Sequence, residues 1–406
     1  MLSPADAALV ARDPDLPGMA LLLEPEELLA RVDGFTVDVR SVRTTYLRYK
    51  PGTSLIAGLR LVTTSGPVFG FATAYARGCE PKIAKDKAYA DAAASGLVGL
   101  VGATGVLLGT AEGDRQLPGI ARLLHAPEHR PGVLGAARLH PLRYKPARRW
   151  VARAGGAQDP VAVVKVHRPG TLAGSVRAHR WLHAAGAPVA ELLDVDDERG
   201  STVVRWVPGR TLERDDLDPD AARAAGHALA QLHDVSPDAR LPAAAPIAEG
   251  LQTALNAIAV LAPAWLDEAA EVAARVTSMI PMDRPQALTH GDFSADQVVV
   301  HAGTATIVDL DRAQLGDPVA ELAGYAAAGL AGSRSGRPAR SLESVSTALL
   351  TGYREGGGAG LDGALAPLTA AALLALADEP FRLRRENWPD RMAELIATAG
   401  RVLDRA

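Results

Sequence analysis

Three side chains in the C-terminal third have types and spacing suited to chemistry. Asp292 lies in Thr289-His290-Gly291-Asp292-Phe293-Ser294, Gln297 follows five residues later, and Asp309 stands twelve residues beyond that. Gln297 opens the apolar run Val298-Val299-Val300, and Asp309 closes a second, Ile307-Val308. Two short strands joined by the turn His301-Ala302-Gly303-Thr304 would hold all three side chains at one end of a hairpin. Phosphoryl transfer needs such a set: a carboxylate to accept the attacking hydroxyl's proton, and oxygen ligands for magnesium on the phosphates. The bland alternative is that Asp292 and Asp309 only cap turns.

The surrounding elements are those that must position the cluster. The segment resembles the catalytic segment of the aminoglycoside phosphotransferase and choline kinase superfamily, whose pattern is H-G-D, an amide, I-D and then G-D-P. Here these are His290-Gly291-Asp292, Gln297, Asp309 and Gly316-Asp317-Pro318. The amide is usually Asn. Gln297 is a departure shared by maltokinase-like sugar kinases, and it still offers a carbonyl oxygen one methylene further out. The resemblance covers about residues 135 to 406. It implies an α+β, bilobal protein-kinase-like fold and an ATP- and magnesium-dependent transfer to the hydroxyl of a small molecule. Asp292 is then the general base or hydroxyl-orienting group. Asp309 and Gln297 are metal ligands, and Asp311 either assists a second metal or binds the loop. His290 braces the loop, Asp317 caps a helix, and Glu321 stands where relatives often have Asp.

The same resemblance places a phosphate-contacting lysine on the third strand of the N-terminal lobe, and Lys165 in Val161-Ala162-Val163-Val164-Lys165-Val166 matches it. No G-x-G-x-x-G is present. Arg148 and Arg149 occupy the phosphate-loop position, where they either touch phosphates or are edge-strand charges. Kinases pair the lysine with a helix glutamate, expected near Ser175, but no acidic residue occurs from His167 to Val189. Leu172 to Ala185 reads as that helix, with Val176, Trp181 and Leu182 as core positions. Ser201 to Leu212 resembles strand, hinge and exit, with Trp206 and Val207 nearest the adenine. Ala221 to His233 reads as an amphipathic helix, with His233 structural.

An internal repeat occupies the N-terminal third. Asp13-Pro14-Asp15-Leu16-Pro17-Gly18 and Leu47-Arg48-Tyr49-Lys50-Pro51 echo Asp114-Arg115-Gln116-Leu117-Pro118-Gly119 and Leu142-Arg143-Tyr144-Lys145-Pro146. The period is too long for a solenoid. The repeat reads as a duplicated small αβ unit, whose first copy lacks a lysine on its equivalent strand. The expected domains are a degenerate lobe-like unit (1–112), the lobe with Lys165 (113–207) and a mainly helical lobe (208–406). Lys82, Lys85 and Lys87 form either a basic patch or a solvated helix face. Toward the C-terminus, Asp378, Glu379, Arg382, Glu386, Trp388 and Arg391 are candidates to line an acceptor site, the alternative for each being a solvated helix surface.

Composition narrows the partners. A net charge of −4 without Lys/Arg runs argues against nucleic acid. One cysteine, Cys79, excludes a disulfide framework and a cysteine-built zinc site. The start lacks a signal-peptide pattern, and the glycine-interrupted run Ala93–Thr110 reads as a helix end and short strand rather than a membrane span. The expectation is a cytoplasmic monomer or homodimer acting on a small-molecule hydroxyl acceptor, without membrane. Two other readings stay open: a pseudokinase that holds a partner, and a kinase acting on a peptide side chain.

Overall fold

The computed structural model describes the whole chain except residues 32–34, 36–37, 93–97, 102–104, 127–129, 214–217, 239, 282, 333–338 and 359–362. The expected strand after Ala93 lies partly outside the described residues, as do parts of the glycine-rich segments 332–340 and 356–363. Two compact units are present. One comprises Met1–Leu172, Leu193–Arg205 and Pro380–Trp388; the other comprises Ala173–Leu192, Trp206–Glu379 and Pro389–Ala406.

The first unit contains two five-stranded sheets. The first is built from β1 (Val39–Lys50), β2 (Ser54–Thr63), β3 (Gly66–Tyr75), β4 (Val98–Val101) and β5 (Val106–Thr110), in the order β1-β2-β3-β5-β4. The second is built from β6 (Leu139–Lys145), β7 (Arg149–Gly155), β8 (Pro160–His167), β9 (Leu192–Asp196) and β10 (Ser201–Arg205), in the corresponding order β6-β7-β8-β10-β9. The repeated motifs make the same contacts in each. Asp13 accepts hydrogen bonds from the Tyr49 hydroxyl (2.7 Å) and the Gly52 N–H (2.9 Å). Asp114 accepts them from the Tyr144 hydroxyl (2.8 Å) and the Ala147 N–H (2.7 Å). Gly52 and Ala147 both sit in the left-handed region, at φ 61° and 56°. The D-x-x-L-P-G aspartate therefore clips the turn that follows L-R-Y-K-P, and burial pushes the pKa of Asp114 up.

Register sets the corresponding positions of the two sheets side by side. Val151 pairs with Lys165, and Arg143 with Val151. In the first sheet, Arg48 pairs with Ile56 and Ile56 with Thr73. Thr73 thus stands where the second sheet has Lys165. Phe71, two residues along β3 and so on the same face, joins Leu107 in a core with Leu117, Ile120, Tyr144, Trp150 and Val164 of the second copy. The face of the first sheet that corresponds to the lysine face is therefore packed against its neighbour.

The segment Pro380–Trp388 also belongs to this unit. Trp388 is buried, stacks edge-on against Phe381 (5.2 Å) and donates its indole N–H to Asp6 (3.1 Å). Arg384 forks onto the same carboxylate at 2.8 and 2.9 Å. Burial opposes ionisation of Asp6, but Arg384, Ser3 and Trp388 together hold its pKa below the ordinary value. Trp388 is thus not an acceptor-lining group, because its indole is spent on the N-terminal helix Pro4–Arg12. Asp6→Ala strands a guanidinium and an indole N–H, and should lower the unfolding free energy by about 2–4 kcal/mol. An unchanged urea midpoint would refute this.

The second unit is helical around two small ladders. In one, β11 (Arg210–Thr211) pairs with β13 (Val298–His301), which pairs with β14 (Thr304–Ile307). In the other, β12 (Ala287–Thr289) pairs with β15 (Gln314–Gly316). Leu288, Phe293, Val298, Ile307 and Leu310 sink into one core with Leu229 and Leu232 of the helix Pro219–Asp234 and Tyr353 of the helix Ala339–Glu355. The helix Ala173–Ala184 buries Val176, His179 and Leu182. Trp181, expected in the core, is exposed instead, and its indole N–H reaches the Ser236 carbonyl at 2.9 Å. Its body lies outside the stripe set by 176, 179 and 182.

Candidate active site

The segment from Thr289 to Asp309 is assembled by the two ladders. Val298 faces Ile307 and His301 faces Thr304, so β13 and β14 form the expected hairpin. Ala302 and Gly303 both have positive φ, 48° and 78°, as a two-residue turn matching strand twist requires. At the open end the Val308 N–H donates to the Gln297 carbonyl at 2.9 Å. That bond fixes Gln297 opposite the residue preceding Asp309. Asp309 is left-handed, φ 67° and ψ 52°, a conformation Asp tolerates better than most residues. Gln297 is buried, whereas Asp309 and Asp311 are half-buried.

The other ladder delivers the loop. Thr289 pairs with Gln314 and bonds its carbonyl through Oγ1 at 3.1 Å. His290 follows, fully buried. The Asp292 N–H donates to His290 Nδ1 (3.2 Å), which leaves the proton on Nε2, donated to the Val308 carbonyl (2.8 Å). Both ring nitrogens are occupied, so His290 ties the loop to the hairpin. Gly291 has φ +78°, and a Cβ there would meet the Arg312 carbonyl at 2.2 Å. Asp292 is left with a 49 % exposed side chain, 3.7 Å from Arg312.

Glu321 holds this loop from below. Asp317 caps the helix Pro318–Leu330 through Val319 N–H (2.9 Å) and is paired with Arg284 at 2.7 Å. One turn on, Glu321 accepts the His290 N–H at 2.8 Å and the Gly291 N–H at 2.6 Å. It also contacts His233 Nε2 at 3.0 Å, and His233 Nδ1 meets the Tyr353 hydroxyl at 2.9 Å. Burial would raise the Glu321 pKa, but the His233 hydrogen bond and charge, with the backbone donors, hold it below the ordinary range. Sequence reading noted the position of Glu321 without this role, because backbone N–H partners leave no side-chain signature.

In the other unit, Lys165 is 7 % exposed and pairs with Val151 and Thr202. Trp150, Ala152, Val164 and Val166 bury the opposite face of that sheet. Lys145 pairs with Arg149 and Arg149 with His167, so Arg149 shares the face of Lys165. Trp206 and Val207 follow β10 and are half-buried. Ser175, where a glutamate was expected, lies in the first turn of its helix.

Residues 110–364 match the family described as the phosphotransferase enzyme family, APH. The chain belongs to this family. The match takes in more than half of the sequence. Among solved structures, the phosphotransferase is similar to a choline/ethanolamine kinase family protein from Mesorhizobium loti. Identity is 19 %, with 70 % of this chain and 92 % of the other covered, at a TM-score of 0.52. It is also similar to a thermostable mutant of aminoglycoside phosphotransferase APH(4)-Ia, with 15 % identity, coverage of 67 % and 96 %, and a TM-score of 0.50. No curated protein matches it. The fold is thus the expected α+β, protein-kinase-like one. Among the described residues, no helix is long and apolar enough to cross a membrane.

Proposed function

We propose that this phosphotransferase moves the γ-phosphoryl group of ATP to a hydroxyl of a small molecule, an aminoglycoside, amino sugar or sugar-like acceptor, as a cytoplasmic monomer or homodimer. The observation that carries the reading is the shared anchoring of His290-Gly291-Asp292 and of the Gln297–Asp309 hairpin end by His290 and Glu321. The loop presents Asp292 to solvent, where it can accept a hydrogen bond from the attacking hydroxyl and then its proton. Arg312 lies 3.7 Å from the carboxylate.

Among the described residues no three His, Cys, Asp or Glu side chains make a metal centre on their own. A carboxylate and an amide at one hairpin end suit magnesium, which takes few protein ligands and completes its shell with phosphate oxygens and water. Asp309 and Gln297 would hold it, with Asp311 assisting a second metal or binding the loop. Bound magnesium would neutralise charge developing on the phosphates. Lys165 and Arg149 contact the phosphates, and the Trp206–Val207 backbone meets the adenine. In this reading residues 1–112 are a degenerate copy of the lobe 113–207, and 208–406 carries the acceptor site.

MgATP at about 100 times its Kd should stabilise the chain by about 2.7 kcal/mol. Asp309→Asn should remove the magnesium-dependent part of the resulting melting-temperature rise. No rise in the wild type, or the same rise in the variant, would refute the reading. The pseudokinase alternative draws on the absence of any acidic residue from His167 to Val189. Release of ADP with one of a panel of sugars, aminoglycosides and peptides excludes it and names the acceptor class.

A further inference from the structure

The seam between the two repeats gathers positive charge. The turn Lys145-Pro146-Ala147-Arg148 of the second copy rests on the first sheet at its Tyr46–Gly58 pair. A Cβ on Gly58 would lie 3.1 Å from the Pro146 ring, and Lys145 Nζ stands 5.8 Å from the Tyr46 ring centroid. Arg382 also lies over this ring, at 5.5 Å. Arg48 is two residues along β1 from Tyr46, on the same face and half-buried. Arg148 and Arg168 each adjoin a member of the Arg149–His167 pair, so they emerge together at that sheet end. Both are exposed.

Arg48, Arg148 and Arg168 have no carboxylate partner among the described residues. The Arg48 guanidinium is weakened first by burial and then by the positive charges of Arg148 and Arg168. The carboxylate nearest in effect, Asp114, is already bonded to Tyr144, Ala147 and Gln116. Like charges gathered around Arg48 cost free energy unless an anion joins them, and guanidinium pairs fit phosphoryl oxygens by bidentate bonding.

We infer that Arg48 of the first repeat, with Arg148 and Arg168 of the second, forms a binding site for a phosphoryl oxyanion at the seam of the repeats. The degenerate copy then contributes binding chemistry to its neighbour although its own lysine face is covered. The oxyanion is either a phosphate group of the nucleotide or a free phosphate-bearing ligand, and only the first source rests on the kinase reading.

Melting of the full chain with inorganic pyrophosphate at constant ionic strength tests this. The expected result is a rise in melting temperature for the wild type that disappears in Arg48→Gln and falls in Arg168→Gln, whose exposed side chain leaves folding undisturbed. The same rise should persist in Lys165→Met. No rise in the wild type overturns the site. So does a rise that survives in both arginine variants, or one lost only with Lys165. MgATP titration then separates the sources: a tenfold or greater loss of affinity in Arg48→Gln assigns the oxyanion to the nucleotide, and an unchanged affinity assigns it to a free ligand. If MgATP binds neither protein while the pyrophosphate effect follows Arg48, the kinase reading fails and the oxyanion site stands.

Discussion

Asp292→Ala is expected to lower kcat for phosphoryl transfer by about 10²–10⁴-fold, the range by which a positioned acid or base assists a proton transfer. The effect should fall on the chemical step. The Asp292 side chain is half exposed, and among the described residues its ionic neighbour is Arg312, at 3.7 Å. An exposed pair at that distance contributes at most about 1 kcal/mol, so the melting temperature should hardly move. The loop's own anchors are the Glu321 and His290 contacts, which the substitution leaves in place. MgATP should therefore still raise the melting temperature of the variant. Asn at 292 keeps the shape and the ability to accept a hydrogen bond but cannot take a proton, so it should be nearly as inactive as Ala. A variant within tenfold of wild-type kcat would remove Asp292 from the chemistry. Loss of MgATP binding together with activity would instead make it a binding residue.

How much was legible beforehand depended on where each signal lay. The hairpin was readable because its strands, turn and flanking polar residues are contiguous, from Gln297 to Asp309. The repeat was readable because Asp13 and Asp114 precede the same L-P-G and L-R-Y-K-P elements, and the structure places the same hydrogen bonds in both. What sequence order alone could not give was long-range pairing. Trp388 reads as a helix-surface aromatic until Asp6, 382 residues away in sequence, is seen to accept its indole N–H. Trp181 reads as core, yet one end of its indole is used on the Ser236 carbonyl and the residue remains exposed. The covered face of the first sheet was equally hidden. A missing lysine on β3 was visible, but not the packing of Phe71 against the second copy.

Glu321→Ala is expected to destabilise the fold by about 3–5 kcal/mol, more than any surface substitution should. The Glu321 side chain is 3 % exposed and takes three donors: the His290 N–H, the Gly291 N–H and His233 Nε2. Removing it leaves those groups buried without an acceptor, at about 1–3 kcal/mol each before relaxation or an entering water. Glu321→Gln keeps the volume but replaces one acceptor oxygen with an NH₂ that faces a donor, so it should recover only part of the loss. The pH dependence has a definite sign. The folded pKa lies below the unfolded value of about 4.3. The contribution is therefore present above that value and is lost as pH falls through the folded pKa. The stability gap between wild type and Glu321→Gln should be constant near neutrality and shrink below about pH 4. Because the same carboxylate holds the backbone on which Asp292 rides, the Gln variant should also lose kcat at temperatures where it is still folded, with KM for ATP little changed. A full-stability Ala variant would mean that Glu321 only occupies space. A stable but slow one would place its role in positioning the loop.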